Sequence, residues 1–92
     1  MRVLIIGSGG REHAFAHAIC QSDRLSALFV APGNAGILQL ADSAPVDVAD
    51  HGAVAQFCAD ERIDLVVVGP DAALVDGLAE DASSLVVPLL SS

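Results

Sequence analysis

One stretch limits what this chain can become more than any other. Val3-Leu4-Ile5-Ile6 runs directly into Gly7-Ser8-Gly9-Gly10 and then into Arg11-Glu12-His13-Ala14. A short, unbroken apolar run rich in β-branched residues is the mark of a strand buried on both faces, and such strands belong to parallel sheets. The glycines allow a tight turn and a close approach of backbone to another group. From Arg11 the period changes, and Ala14, Phe15, Ala18 and Ile19 fall on one helical face. The stretch therefore reads strand, glycine loop, helix. Its loop brings backbone N–H groups to a helix N-terminus, which favours an anion, most economically a phosphate. The alternative is a tight turn that serves structure alone.

The same residues exclude two common phosphate motifs. A dinucleotide fingerprint beginning at Gly7 and Gly9 requires Gly or Ala where this chain has Glu12. It also requires an acid at the end of the second strand, where this chain has Val30-Ala31-Pro32. A Walker loop needs a lysine, and the chain has none. Specific NAD or NADP binding is therefore not expected.

Ninety-two residues make one small domain with a modest core. The hydrophobic fraction is 53%, but sixteen of those residues are alanine, so Val, Leu and Ile must do most of the packing. The net charge of −8, twelve acids against four arginines, disfavours nucleic acid and anionic membrane as partners. An anionic ligand must then find local positive potential, and Arg11 and the helix dipole are the sources beside the glycine loop. Cys20 and Cys58 fall in predicted helices and read as buried thiols in a reducing compartment, so the expected location is cytoplasmic. The N-terminal apolar run is too short for a signal peptide, and no stretch reaches transmembrane length.

Along the chain, strands are expected at residues 2–6, 27–30, 45–48, 65–68 and 85–90, the third at an edge because of Pro45 and the last interrupted by Pro88. Helices are expected at 11–21, at 51–61 with Asp50 as N-cap and Val54, Phe57 and Cys58 inward, and at 72–81 with Leu74, Val75 and Leu78 as its apolar stripe. Residues 31–40 form a loop built on Pro32, Gly33, Asn34 and Gly36. The alternation predicts a three-layer, Rossmann-like α/β fold, an open parallel sheet of about five strands in the order 3-2-1-4-5. Ligands in such sheets bind beyond the carboxyl ends of the strands where the order reverses, here between the first and fourth. The glycine loop and Gly69-Pro70-Asp71 leave those two strands, so the motifs should meet at one edge.

Each candidate residue has a plainer reading beside the functional one. His13 and His17 stand one helical turn apart, a metal-compatible spacing or simply a surface pair. Arg11 and Glu12 are anion-site residues or a solvated first turn. Asn34 holds a sugar hydroxyl or adopts a left-handed turn. Asp71 accepts from a ribose or an amine, or caps the next helix. No catalytic nucleophile, no triad and no metal set is supported.

Three segments together resemble one family. Gly7-Ser8-Gly9-Gly10-Arg11-Glu12-His13-Ala14, Val30-Ala31-Pro32-Gly33-Asn34-Ala35-Gly36 and Asp64-Leu65-Val66-Val67-Val68-Gly69-Pro70-Asp71 are similar, in order and spacing, to the N-terminal part of phosphoribosylamine–glycine ligase. The similarity covers residues 1 to about 82. It implies a pre-ATP-grasp domain preceding the domains that hold ATP and magnesium. It implies a reaction in which glycine is activated as an acylphosphate and joined to 5-phosphoribosylamine, an early step of purine synthesis. By position, Gly7, Ser8, Gly9, Gly10, Arg11, Glu12, His13, Gly33, Asn34, Gly36, Gly69, Pro70 and Asp71 would hold the phosphoribosyl substrate or its product. The family usually has Glu where this chain has Asp71. Residues 1–92 are expected to be a single substrate-binding domain, truncated before the ATP-grasp region, with no cofactor of its own and no activity alone. A nucleotide-binding module of another doubly wound type and a non-catalytic, flavodoxin-like interaction domain are the other two readings.

Overall fold

The computed structural model describes residues 1–69 and 85–88. Five strands form one parallel sheet: β1 (Arg2–Gly7), β2 (Ala27–Pro32), β3 (Asp42–Ser43), β4 (Leu65–Val68) and β5 (Leu85–Pro88). Their order is β3-β2-β1-β4-β5, as the alternation of elements predicts. Two ten-residue helices, α1 (Gly10–Ile19) and α2 (His51–Asp60), pack on opposite faces. The expected helix over 72–81, with Pro70 and Asp71 before it, lies outside the described residues.

β1 shows why the sheet needs cover on both sides. Successive side chains alternate between faces. Leu4 and Ile6 join Val54, Cys58, Val66 and Val68 on the α2 side, while Val3 and Ile5 join Ala16, Val30, Ile37 and Val67 on the α1 side. All four β1 residues are essentially inaccessible. Phe29 and Phe57 meet edge to face, with centroids 5.2 Å apart, and fasten β2 to α2.

Four expectations need correction. The third strand is Asp42–Ser43, not residues 45–48. Ala44 donates the last bond of that edge, to the Val30 carbonyl at 2.9 Å, and Pro45 has no N–H with which to extend the ladder. The alternating Val46 and Val48 instead lie in a loop laid over the α2-side core. The loop after β2 is also more ordered than expected: β2 continues to Pro32, and Ile37–Gln39 make a 3-10 turn that buries Ile37. Next, the inward face of α1 is Glu12, Phe15, Ala16 and Ile19, whereas Ala14 and Ala18 are exposed. Finally, Cys58 is buried, but Cys20 is exposed at the C-cap of α1.

α2 is closed at both ends by its own chain. Asp50 accepts from the Ala53 N–H at 3.2 Å, which is the expected N-cap. At the other end Ile63 donates to the Cys58 carbonyl and Arg62 to that of Ala59. This is the Schellman arrangement, and Arg62 takes the left-handed conformation (φ +53°) usually given to glycine.

Candidate anion-binding edge

The carboxyl end of β1 gathers the loops that follow its two neighbours. Gly33, after β2, donates its N–H to the Gly7 carbonyl at 3.0 Å. Gly69, after β4, donates to the Ile6 carbonyl at 2.8 Å. The three motifs, far apart in sequence, are thus tied by backbone bonds to one strand end. The sheet order reverses between β1 and β4, so this edge is the crevice where open α/β sheets place ligands.

Each loop has a residue that fixes its path. Gly7 sits at φ +146° and Gly33 at φ +76°, and both conformations favour glycine. Gly33, not Asn34, therefore takes the left-handed position. Asn34 bridges the loops: its Nδ2 donates to the Ser8 carbonyl at 2.5 Å, and its Oδ1 accepts from the Ile37 N–H at 3.0 Å. The second loop is thereby latched onto the first. Gly36 lies under His13, for a side chain there would come within 2.7 Å of the imidazole Cε1. His13 and His17 are exposed, and among the described residues no three His, Cys, Asp or Glu side chains cluster as a metal set.

The first turn of α1 faces this edge. Gly9 is its N-cap, in extended conformation, and makes no side-chain capping bond. Gly10 and Arg11 are exposed beside it. The amides of a first helical turn have no carbonyl partner within the helix, and they carry the positive end of its dipole. Backbone groups here and the Arg11 guanidinium can therefore receive an anion in an otherwise acidic chain.

Glu12 departs furthest from the simplest reading of the sequence. It is 1% exposed, not part of a solvated turn. Its Oε1 has no hydrogen-bond partner among the described residues. The carboxyl group fills the space beside two glycines: a Cβ at Gly69 would lie 1.5 Å from Oε1, and one at Gly7 2.6 Å from it. A clue was present in the sequence, because Glu12 stands where a dinucleotide fingerprint has its third glycine. In that motif the missing side chain lets helix and strand approach closely. Here a carboxyl group occupies the same space.

Of the residues proposed for substrate contact, Gly7 through His13, Gly33, Asn34, Gly36 and Gly69 converge at this edge. Pro70 and Asp71 lie outside the described residues.

A family model described as Phosphoribosylglycinamide synthetase, N domain, matches residues 1–90. Phosphoribosylamine–glycine ligase of Agrobacterium fabrum is 56% identical over 81 residues, covering 88% of this chain and 19% of that protein. The ligase of the same name from Caldanaerobacter subterraneus is 43% identical over 81 residues, with the same two coverages of 88% and 19%. The trifunctional purine biosynthetic protein adenosine-3 of Gallus gallus is 51% identical over 86 residues, 90% of this chain and 8% of that protein. The chain spans about a fifth of the length of the ligases and less of the trifunctional protein. On the match across nearly its whole length, the chain belongs to the phosphoribosylglycinamide synthetase N-domain family.

Proposed function

We propose that residues 1–92 act as the N-terminal substrate domain of a phosphoribosylamine–glycine ligase and hold the phosphoribosyl substrate or product. The observation that carries this reading is the convergence of the three glycine motifs on the end of β1, beside the N-terminus of α1, where Gly9 makes no side-chain capping bond. In this reading the amides of the first turn of α1 and Arg11 receive the 5-phosphate. The sugar lies along the edge where the backbones of Gly7, Gly33 and Gly69 meet, the space directly beside Gly7 and Gly69 being taken by the Glu12 carboxyl group. Asn34 fixes the second loop against the first, and the Asp71 carboxylate contributes from the loop after β4. ATP and magnesium, held by the ATP-grasp portion of the full-length relatives, would supply the activated phosphoryl group. The part of this chain is to fix the amine-bearing substrate for attack on activated glycine, and positioning without the activated partner gives no product. The reading includes a cytoplasmic location, supported by two cysteines that are thiols and not a disulfide. A dinucleotide site is disfavoured by the carboxyl group of Glu12 in the crevice.

The test is ADP release with 5-phosphoribosylamine, glycine and ATP. The chain alone should give none. The chain mixed with a separately expressed ATP-grasp portion of the Agrobacterium fabrum ligase should turn over. Turnover by the chain alone, or no turnover in a mixture whose components are both folded, would overturn the reading.

A further inference from the structure

The loop after β2 holds two successive carbonyls of the glycine loop. Gly33 donates its N–H to the Gly7 carbonyl at 3.0 Å, and Asn34 donates its Nδ2–H to the Ser8 carbonyl at 2.5 Å. The Ser8–Gly9 peptide is trans, and a trans peptide is planar with its C=O and N–H on opposite sides. The bond from Asn34 therefore turns the Gly9 N–H away from the loop after β2. The Asn34 amide covers the carbonyl side, so a group from outside meets this peptide on its N–H side.

Asn34 is built to impose that orientation. Its Oδ1 accepts from the Ile37 N–H at 3.0 Å, and its backbone carbonyl accepts from the Leu38 N–H at 2.9 Å. The 3-10 turn thus holds both the residue and the plane of its amide. Gly36 leaves room for it, since a Cβ there would come 3.3 Å from Oδ1. The peptide in turn has need of a clamp. Turning it over takes rotation about ψ of Ser8 and φ of Gly9, and glycine opposes such rotation less than other residues. Turned over, the peptide would present a carbonyl oxygen, a partial negative charge, to an anion at the N-terminus of α1.

We propose that Asn34 is a positioning residue: without touching the ligand, its Nδ2–H on the Ser8 carbonyl keeps the Ser8–Gly9 peptide in the orientation that admits a phosphate. This rests on the anion-site reading above, and it gives Asn34 a role through the backbone in place of a contact with a sugar hydroxyl.

The experiment is calorimetric titration of the 92-residue chain and of Asn34→Ser with inorganic phosphate, with urea denaturation of both. Serine is uncharged and keeps a short oxygen for the Ile37 N–H, but its single hydroxyl cannot span both partners of the asparagine amide. Affinity should fall at least about tenfold in the folded variant. An unchanged affinity, whatever the change in urea stability, would reduce Asn34 to a structural latch and overturn the proposal. Should the variant fail to fold, nitrogen NMR of the wild-type chain answers. With inorganic phosphate or ribose 5-phosphate the Gly9 N–H resonance should move, and the side-chain NH2 pair of Asn34 should stay. Movement of the Asn34 pair would make it a ligand contact and overturn the proposal, as would a Gly9 resonance that stays while phosphate binds. Absence of binding by both probes would refute the anion site itself and this proposal with it.

Discussion

α1 and α2 each have ten residues and each follow a strand of the same parallel sheet, yet their first turns are finished in different ways. α2 is capped from within, by Asp50 on the Ala53 N–H. α1 begins at Gly9 with no side-chain cap, beneath two loops that backbone bonds draw to the end of β1. Both helices present the same electrostatic problem at that end, a set of amides and half a positive charge. One is answered by the chain's own carboxylate. The other has no side-chain cap, and in the proposed function it receives an anion from outside. A capping side chain at α1 would compete with such a ligand, so the missing cap is what a binding site requires and a purely structural helix would not.

The largest effect should come from the glycines that support α1. Gly7 is at φ +146°, and a Cβ there would also lie within 2.6–2.8 Å of the Glu12 side chain. Gly7→Ala combines backbone strain with overpacking and should cost about 3 kcal/mol or more, enough to unfold much of a small domain. Gly52, in the first turn of α2, meets only Asp50 Oδ1 at 3.4 Å. Gly52→Ala should leave stability unchanged or raise it by up to about 1 kcal/mol. Urea denaturation of the two variants measures the contrast. Equal effects would remove the distinction between the two first turns.

A second substitution isolates the cause. Gly69 lies outside the left-handed region, and the three atoms nearest an added Cβ all belong to Glu12, its Oε1 closest at 1.5 Å. Gly69→Ala should cost about 2 kcal/mol. The same change made in a Glu12→Ala background should cost less than about 0.5 kcal/mol, because the obstructing group is gone. A double-mutant cycle by urea denaturation reads the coupling. Additive effects would mean that the carboxyl group does not sit between the strand ends in solution.

Much of this edge was legible in the sequence, and the exceptions have physical causes. β1 and β4 announce themselves as unbroken apolar runs rich in β-branched residues, and alternation with helices then fixes the sheet order. The convergence of the glycine loops follows from that order alone. Glu12 was harder, because an acid in a first turn is ordinarily explained by the helix dipole and solvent, and helical periodicity says nothing of space beside a glycine on another strand. Asn34 was ambiguous because its side chain serves as well in a loop-to-loop bridge as in a sugar contact. β3 was misplaced because Val46 and Val48 alternate like a strand while Pro45 prevents the pairing. Arg62 gave no sign of a left-handed cap, since the usual sign is glycine.

The smallest effect on stability should be the most informative about function. Gly9 has φ −89° and ψ −179°, an extended conformation that an N-cap aspartate adopts without strain. Gly9→Asp would give α1 the device that α2 already has. The expected gain is about 0.5 kcal/mol, since glycine is only a little worse than aspartate as an N-cap and the added charge suits the dipole. Asp50→Ala, the reverse change at α2, should cost about 1 kcal/mol. The two variants should part company in ligand binding. The new carboxylate at position 9 would accept the first-turn amides and repel a phosphate, so affinity for ribose 5-phosphate should fall at least about tenfold while the protein becomes slightly more stable. Asp50→Ala should leave that affinity unchanged, because Asp50 caps α2, which packs on the other face of the sheet from α1. Thermal unfolding and calorimetric titration on the same samples give both readings. If Gly9→Asp stabilises the chain and ribose 5-phosphate still binds with its original affinity, the N-terminus of α1 is not where the phosphate rests, and the difference between the two helices is only one of capping.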